Sequence, residues 1–174
     1  MNRPGRLSQL IAGVPVDARQ FAEDLAAIPP AAHRYAIFYI SRSGSTWLAD
    51  LLSRQGGLGK PREYLNLDMI ARFAAEMNAN TLAGYFAMLG RKRASANGVF
   101  GLKVGPAQLA TLMEEATVGE IFAGYAWIYL RRRNAVAQAV SLYKARVSGT
   151  YQRRRSRGSR PAPASRRGGG GHCL

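Results

Sequence analysis

The chain has 174 residues, which suits one domain, and its 47% apolar content is enough to build a core. Its 25 Lys and Arg against 10 Asp and Glu give a net charge of +15, which favours an anionic ligand. One cysteine, Cys173, excludes a disulfide framework within the chain, and two distant histidines, His33 and His172, form no metal motif, so no metal is expected. The longest apolar run, around residues 121–130, is too short to span a bilayer. Arg3 and Arg6 are followed by no continuous apolar stretch, so no signal peptide is expected and a cytoplasmic location is the default.

Residues 1–16 hold Pro4, Gly5, Gly13 and Pro15 and are expected to be loose. An amphipathic helix is expected over 17–28, capped by Asp17, with Phe21, Leu25 and Ile28 on one face. Pro29 and Pro30 stop it. Residues 35–40 read as a buried strand, and 41–46 (Ser-Arg-Ser-Gly-Ser-Thr) as a hydroxyl-rich turn. A helix over 45–55 follows, with Trp47, Leu48, Leu51 and Leu52 on one side and Gly56-Gly57 as its stop. Gly59-Lys60-Pro61 begins a loop. Two helices are expected next, one on Leu67, Ile70, Phe73, Ala74 and Met77, the other on Leu82, Tyr85, Phe86 and Leu89 and ending at Gly90. After a basic loop at 91–97, a strand is expected at 99–103, then a helix from Pro106 to about residue 116. A third strand spans 125–130. Asn134 caps a last helix to about residue 147, with Val136, Val140, Tyr143 and Val147 inward. Strands alternating with helices indicate an α/β domain with a largely parallel sheet flanked by helices.

Two places carry chemistry. At 41–46 a strand runs into a helix through a turn of Arg42, Ser43, Gly44, Ser45 and Thr46. Backbone N–H groups, the helix dipole, hydroxyls and a guanidinium there can hold an anion. The turn lacks the Gly-Lys-Ser/Thr ending of a nucleoside-triphosphate loop, and an ordinary Ser/Gly βα turn remains the plain alternative. At 131–134 three arginines leave a strand end, with Ser141 in the following helix. Unpaired charge is not buried, so these arginines face either an anion or water. Both places fall at the carboxyl edge of a parallel sheet, where ligands bind in open α/β folds. Two anion sites on one edge suit a ligand with two separated phosphates.

These residues resemble a known family. Arg42-Ser43-Gly44-Ser45-Thr46 is similar to the 5′-phosphate loop of sulfotransferases that use 3′-phosphoadenylyl sulfate (PAPS). The stretch from Arg132 to Ser141 is similar to their 3′-phosphate motif. With Gly59-Lys60-Pro61-Arg62-Glu63-Tyr64, the segment 98–103 and the segment 136–143, the ordered set resembles the bacterial trehalose 2-sulfotransferase family over residues 35–151. The resemblance implies a P-loop NTPase-like sulfotransferase fold and PAPS as sulfuryl donor, with no metal. Arg42, Ser43, Gly44, Ser45 and Thr46 would then hold the 5′-phosphosulfate. Arg132 or Arg133, with Ser141, would hold the 3′-phosphate, and Lys103 would steady the sulfuryl group. Glu63 fits the family's Gly-x-Pro-x-Glu-aromatic loop and would be the base. Without the resemblance, Glu63 reads as a surface glutamate paired with Arg62 or Lys60. Cytosolic eukaryotic sulfotransferases look like Lys-x-His at the corresponding strand end, whereas here Gly105 stands two residues after Lys103.

The acceptor is expected to be a hydroxyl of a trehalose-like carbohydrate, another sugar or a glycolipid; a homo-oligomer is left open. The competing readings are a nucleotide- or phosphate-binding protein without transfer activity, and a nucleic-acid binder driven by the basic tail. Residues 1–34 read as an N-terminal extension with one helix, and 35–152 as the N-terminal part of a sulfotransferase domain. Residues 153–174, with seven arginines and no acid, read as a disordered basic tail, a frameshift product or, as the plainer alternative, a natural tail. On that expectation the fold is incomplete at its C-terminus, apolar surface is left uncovered, and the polypeptide is inactive or weakly active.

Overall fold

The computed structural model describes residues 4–149, so the expected tail at 153–174 lies outside the described residues. Three parallel strands form the sheet: β1 (His33–Tyr39), β2 (Val99–Val104) and β3 (Tyr125–Leu130), in the order β2-β1-β3. Eight helices connect and flank them among the described residues: α1 (Arg6–Ala12), α2 (Ala18–Ala27), α3 (Ser45–Gln55), α4 (Ile70–Glu76), α5 (Leu82–Lys92), α6 (Pro106–Leu112), α7 (Val118–Phe122) and α8 (Ala135–Ser148). Since β1 pairs in parallel with both neighbours, all three strands deliver their carboxyl ends to one edge.

The core lies around β2, whose Phe100, Leu102 and Val104 are fully buried. Against them pack Tyr64 and Leu65, Ile70 and Ala74 of α4, Tyr85, Met88 and Leu89 of α5, and Leu112 of α6. Residues 4–16 are not loose. Leu7 and Ile11, four residues apart, place two side chains on one helical face, and both are completely buried. Gly5 at the N-cap of α1 has no side chain to accept its free N–H groups, so the chain supplies a cap from far away. The buried carboxylate of Glu115 accepts from Ser8 N at 3.0 Å and Ser8 Oγ at 2.6 Å. A Cβ at position 5 would run into that carboxylate, so a side chain there would have to displace the Glu115 cap.

Several boundaries move. α5 continues through Gly90 to Lys92, whose ammonium pairs with Asp24 at 2.5 Å and ties α5 to α2. The helix opened by Pro106 ends at Leu112 rather than near residue 116, and the short α7 follows. Two helix faces differ from expectation. In α3 the inner face is Ser45 and Ala49 with the half-buried Leu48 and Leu52, while Trp47 is 66% exposed and Leu51 39%. In α8 the expected inward stripe points out: Val136 is 75% exposed, and Tyr143 and Val147 are each 70% exposed. The period was legible, but the inner face of α8 is Ala145 with the half-buried Gln138, Ser141 and Leu142, because this face meets the turn after β1.

Among the described residues β3 pairs only with β1, and its Trp127, Ile128 and Tyr129 are exposed. An apolar strand edge of this kind promotes association. No helix among the described residues is long and apolar enough to cross a membrane.

The buried tyrosines make stability depend on alkaline pH. Burial pushes the phenols of Tyr35 and Tyr125 up from 10.0 to about 12. The folded state therefore keeps protons that the unfolded chain releases near pH 10. Stability is complete below that pH and falls as pH rises toward 12. Urea unfolding at about pH 9 and about pH 11 checks this: each of the two phenols should remove up to about 1.4 kcal/mol per pH unit across the window.

Candidate active site

The turn after β1 is shaped by two left-handed residues. Gly44, at φ 94°, is the N-cap of α3, and Arg42 adopts φ 67° without being a glycine. A non-glycine residue in that region costs about 1–2 kcal/mol, so contacts must hold it. Arg42 Nε donates to Ser141 Oγ of α8 at 2.9 Å, and Gln138 Nε2 of α8 donates to the Ser41 carbonyl at 2.8 Å. α8 in turn begins at Asn134, whose side chain accepts from Ala137 N at 2.8 Å.

Three features fit this turn to an anion. Gly44 gives α3 no side-chain cap, unlike Asp17, Thr81 and Asn134 on other helices, which leaves its first N–H groups for a ligand. Ser43 Oγ is buried and has no hydrogen-bond partner in the structure, which a polar group normally finds. The Arg42 guanidinium stands between the turn and Ser141. The two separate anion places read from sequence therefore touch each other: the 41–46 turn is hydrogen-bonded to the helix carrying Ser141. Ser45 is buried at the start of α3, while Thr46 is exposed. Arg132 and Arg133 are both exposed in the link between β3 and α8, so either guanidinium is open to an anion.

Glu63 reaches the same edge by a different route. Its loop is laid along the outer side of β2, where Arg62 pairs in parallel with Leu102 and the Lys103 N–H donates to the Arg62 carbonyl at 2.9 Å. Upstream, Tyr35 Oη donates to the Leu58 carbonyl at 2.7 Å. Tyr64 Oη donates to the Lys60 carbonyl at 2.9 Å, and Tyr85 Oη to the Tyr64 carbonyl at 2.8 Å. Gly59, at φ 71°, passes so close to β2 that a Cβ would stand 2.8 Å from the Val99 carbonyl. These bonds place Glu63 Oε1 3.2 Å from Lys103 Nζ. Neither Arg62 nor Lys60 is the partner of Glu63; Lys103 is.

The Lys103 side chain is only 6% exposed, so its charge needs compensation. Glu63 supplies it, and the Tyr39 ring supports it, with Nζ 5.2 Å from the ring centroid. Tyr39 is the last residue of β1. Burial, and after it the charge of Glu63, raise its phenol pKa well above the usual range, so the phenol stays protonated at neutral pH. Glu63, Lys103 and Tyr39 thus form one cluster beside the anion turn. His33, the first residue of β1, lies at the opposite end of the strand and takes no part.

A model of Stf0 sulphotransferases matches residues 34–164 of the chain. The chain belongs to that family. No curated protein matches the chain. The carboxyl edge of this sheet carries both the 41–46 turn and the Glu63–Lys103 pair. Sequence reasoning missed Tyr39 and Gln138. Tyr39 could have been found as the side chain just before the turn, facing the short Gly105. Gln138 lies one helical turn before Ser141, on the same face.

Proposed function

We propose that this sulphotransferase moves a sulfuryl group from PAPS to a hydroxyl of a carbohydrate, trehalose-like or borne on a glycolipid. The observation that carries this reading is the Glu63–Lys103 pair at 3.2 Å, on the same sheet edge as the uncapped N-terminus of α3. Arg42, Ser43, Gly44, Ser45 and Thr46 hold the 5′-phosphosulfate. Ser141 with Arg132 or Arg133 holds the 3′-phosphate. PAPS supplies a sulfur already activated by a phosphate leaving group.

The protein's part is positioning and charge. Glu63 accepts the proton of the acceptor hydroxyl as its oxygen bonds to sulfur. The bond from sulfur to the phosphate oxygen breaks, and the electron pair stays on the phosphate. Lys103, Arg42 and the N–H groups of α3 stabilise the negative charge on the sulfuryl and phosphate oxygens. The products are a sulfate ester and adenosine 3′,5′-bisphosphate.

Labelled PAPS with protein in excess, incubated with trehalose and other sugars, tests the reading in a single turnover, so that low turnover does not hide it. Sulfated sugar above background is the expected result. Adenosine bisphosphate bound without transfer would leave a binding protein only. Binding of nucleic acid that vanishes with residues 153–174, without nucleotide binding, would support the tail-driven alternative.

A further inference from the structure

We infer that Gln138 is a positioning residue for the donor, acting through the peptide between Ser41 and Arg42. The inference rests on the 41–46 turn holding the donor's 5′-phosphosulfate. The chain leaves β1 through a four-residue turn, closed where Ser43 N donates to the Ile40 carbonyl at 3.1 Å. Within it φ is positive at Arg42, 67°, but not at Ser41. This pattern puts Arg42 at the position where such a turn favours glycine or asparagine. The commoner turn keeps the same ends and differs by a flip of the central peptide, which returns the third residue to negative φ. Here the central peptide joins Ser41 to Arg42, and Gln138 Nε2 donates to its carbonyl at 2.8 Å.

An arginine does not favour positive φ by itself, so the surroundings have to hold it there. α8 does so at two points one helical turn apart: Gln138 on the peptide, and Ser141 on the guanidinium, where Arg42 Nε donates at 2.9 Å. The helix turns these two polar side chains inward and leaves Val136 and Val140 exposed. The two bonds differ in what they fix. Ser141 fixes the direction of a side chain, whereas Gln138 fixes the direction of a peptide dipole. The carbonyl is the negative end of that dipole. Held by Gln138, it faces α8. Released, it can turn over and bring a negative pole to the other side of a turn that has to bind an anion.

Gln138→Met keeps the length and helix propensity of the side chain and removes its donor. The probe is adenosine 5′-phosphosulfate, which can occupy the turn but has no 3′-phosphate for Ser141. Its affinity should fall about three- to tenfold, the worth of one hydrogen bond. Thermal stability and the single-turnover rate at saturating PAPS should stay close to those of the parent. Glycine adopts positive φ without steric cost, so in an Arg42→Gly background, itself weaker in binding, Gln138→Met should cost much less affinity. An unchanged affinity in Gln138→Met, with a parent that binds the probe, overturns the inference and leaves the donor reading standing. An equal loss in both backgrounds overturns it too, since Gln138 would then act on the ligand or on α8 rather than on the peptide. So does a loss confined to adenosine 3′,5′-bisphosphate, which would assign Gln138 to the 3′-phosphate. A parent that binds neither compound removes the donor reading itself, and the inference with it.

Discussion

Glu63→Gln should lower the single-turnover transfer rate by roughly 10²–10⁴, the range supplied by a positioned general base. Nucleotide binding should persist, because the anion turn is built by the ends of β1 and α3 together with α8, not by the 58–64 loop. The partner substitution separates charge from structure. Lys103→Met should cost roughly 10²–10³ in rate, as expected for losing one preorganised charge. Its cost to folding should be limited, because the Glu63 left without a partner is 35% exposed and can be solvated, whereas Glu63→Gln leaves the buried Lys103 ammonium uncompensated and should destabilise more. Comparable losses of rate, a larger loss of stability in Glu63→Gln and retained affinity for adenosine bisphosphate would identify Glu63 and Lys103 as the chemical pair. A Glu63→Gln protein that transfers at the parent rate would show that the proton leaves by another path.

Gly101→Ala should damage both the fold and the site, although Gly101 touches no substrate. Gly101 pairs with Tyr35 across β1 and β2, and the Tyr35 ring lies across the glycine so closely that an added Cβ would collide with Cζ. The ring would have to move, and the bond from Tyr35 Oη to the Leu58 carbonyl would go with it. That bond is one of the tethers that lay the 58–63 loop along β2. Overpacking of this kind costs about 1–3 kcal/mol, and the loss of a partnered hydroxyl adds about 1 kcal/mol more. Urea unfolding reads the first effect. The second is a fall in transfer rate larger than the fraction of unfolded protein explains, since Glu63 would no longer be held at Lys103. Tyr35→Phe removes the hydroxyl without the collision and should give a milder version of both. If Gly101→Ala folds and transfers normally, the loop is held by the Arg62–Leu102 pairing alone.

The sequence by itself determined the α/β alternation, the three strands within two residues, the caps Asp17 and Asn134 in their local stretches, and the strand-turn-helix junction at 41–46. Each rests on local rules: hydrophobic period, Pro and Gly punctuation, and a strand-turn-helix junction rich in donors. Only the family resemblance singles out Glu63; without it the residue reads as a surface glutamate.

Only the tertiary structure decided which face of a helix turns inward. α8 shows the limit plainly: a stripe of Val136, Val140, Tyr143 and Val147 has the right period, yet the opposite face is inside. Small and polar side chains such as Ser141 and Gln138 are drawn in by bonds to the 41–46 turn, about a hundred residues away in sequence. The same reason covers α1. Leu7 and Ile11 are too short a pattern to outweigh four turn-forming residues nearby, until Glu115 caps the helix from across the core. It covers the site too: Glu63, Lys103 and Tyr39 come from a loop and two strands, and no local rule brings them together. Parallel pairing of β2 with β1 does, by carrying Lys103 to the strand end where Tyr39 stands and by giving the Glu63 loop an edge on which to lie.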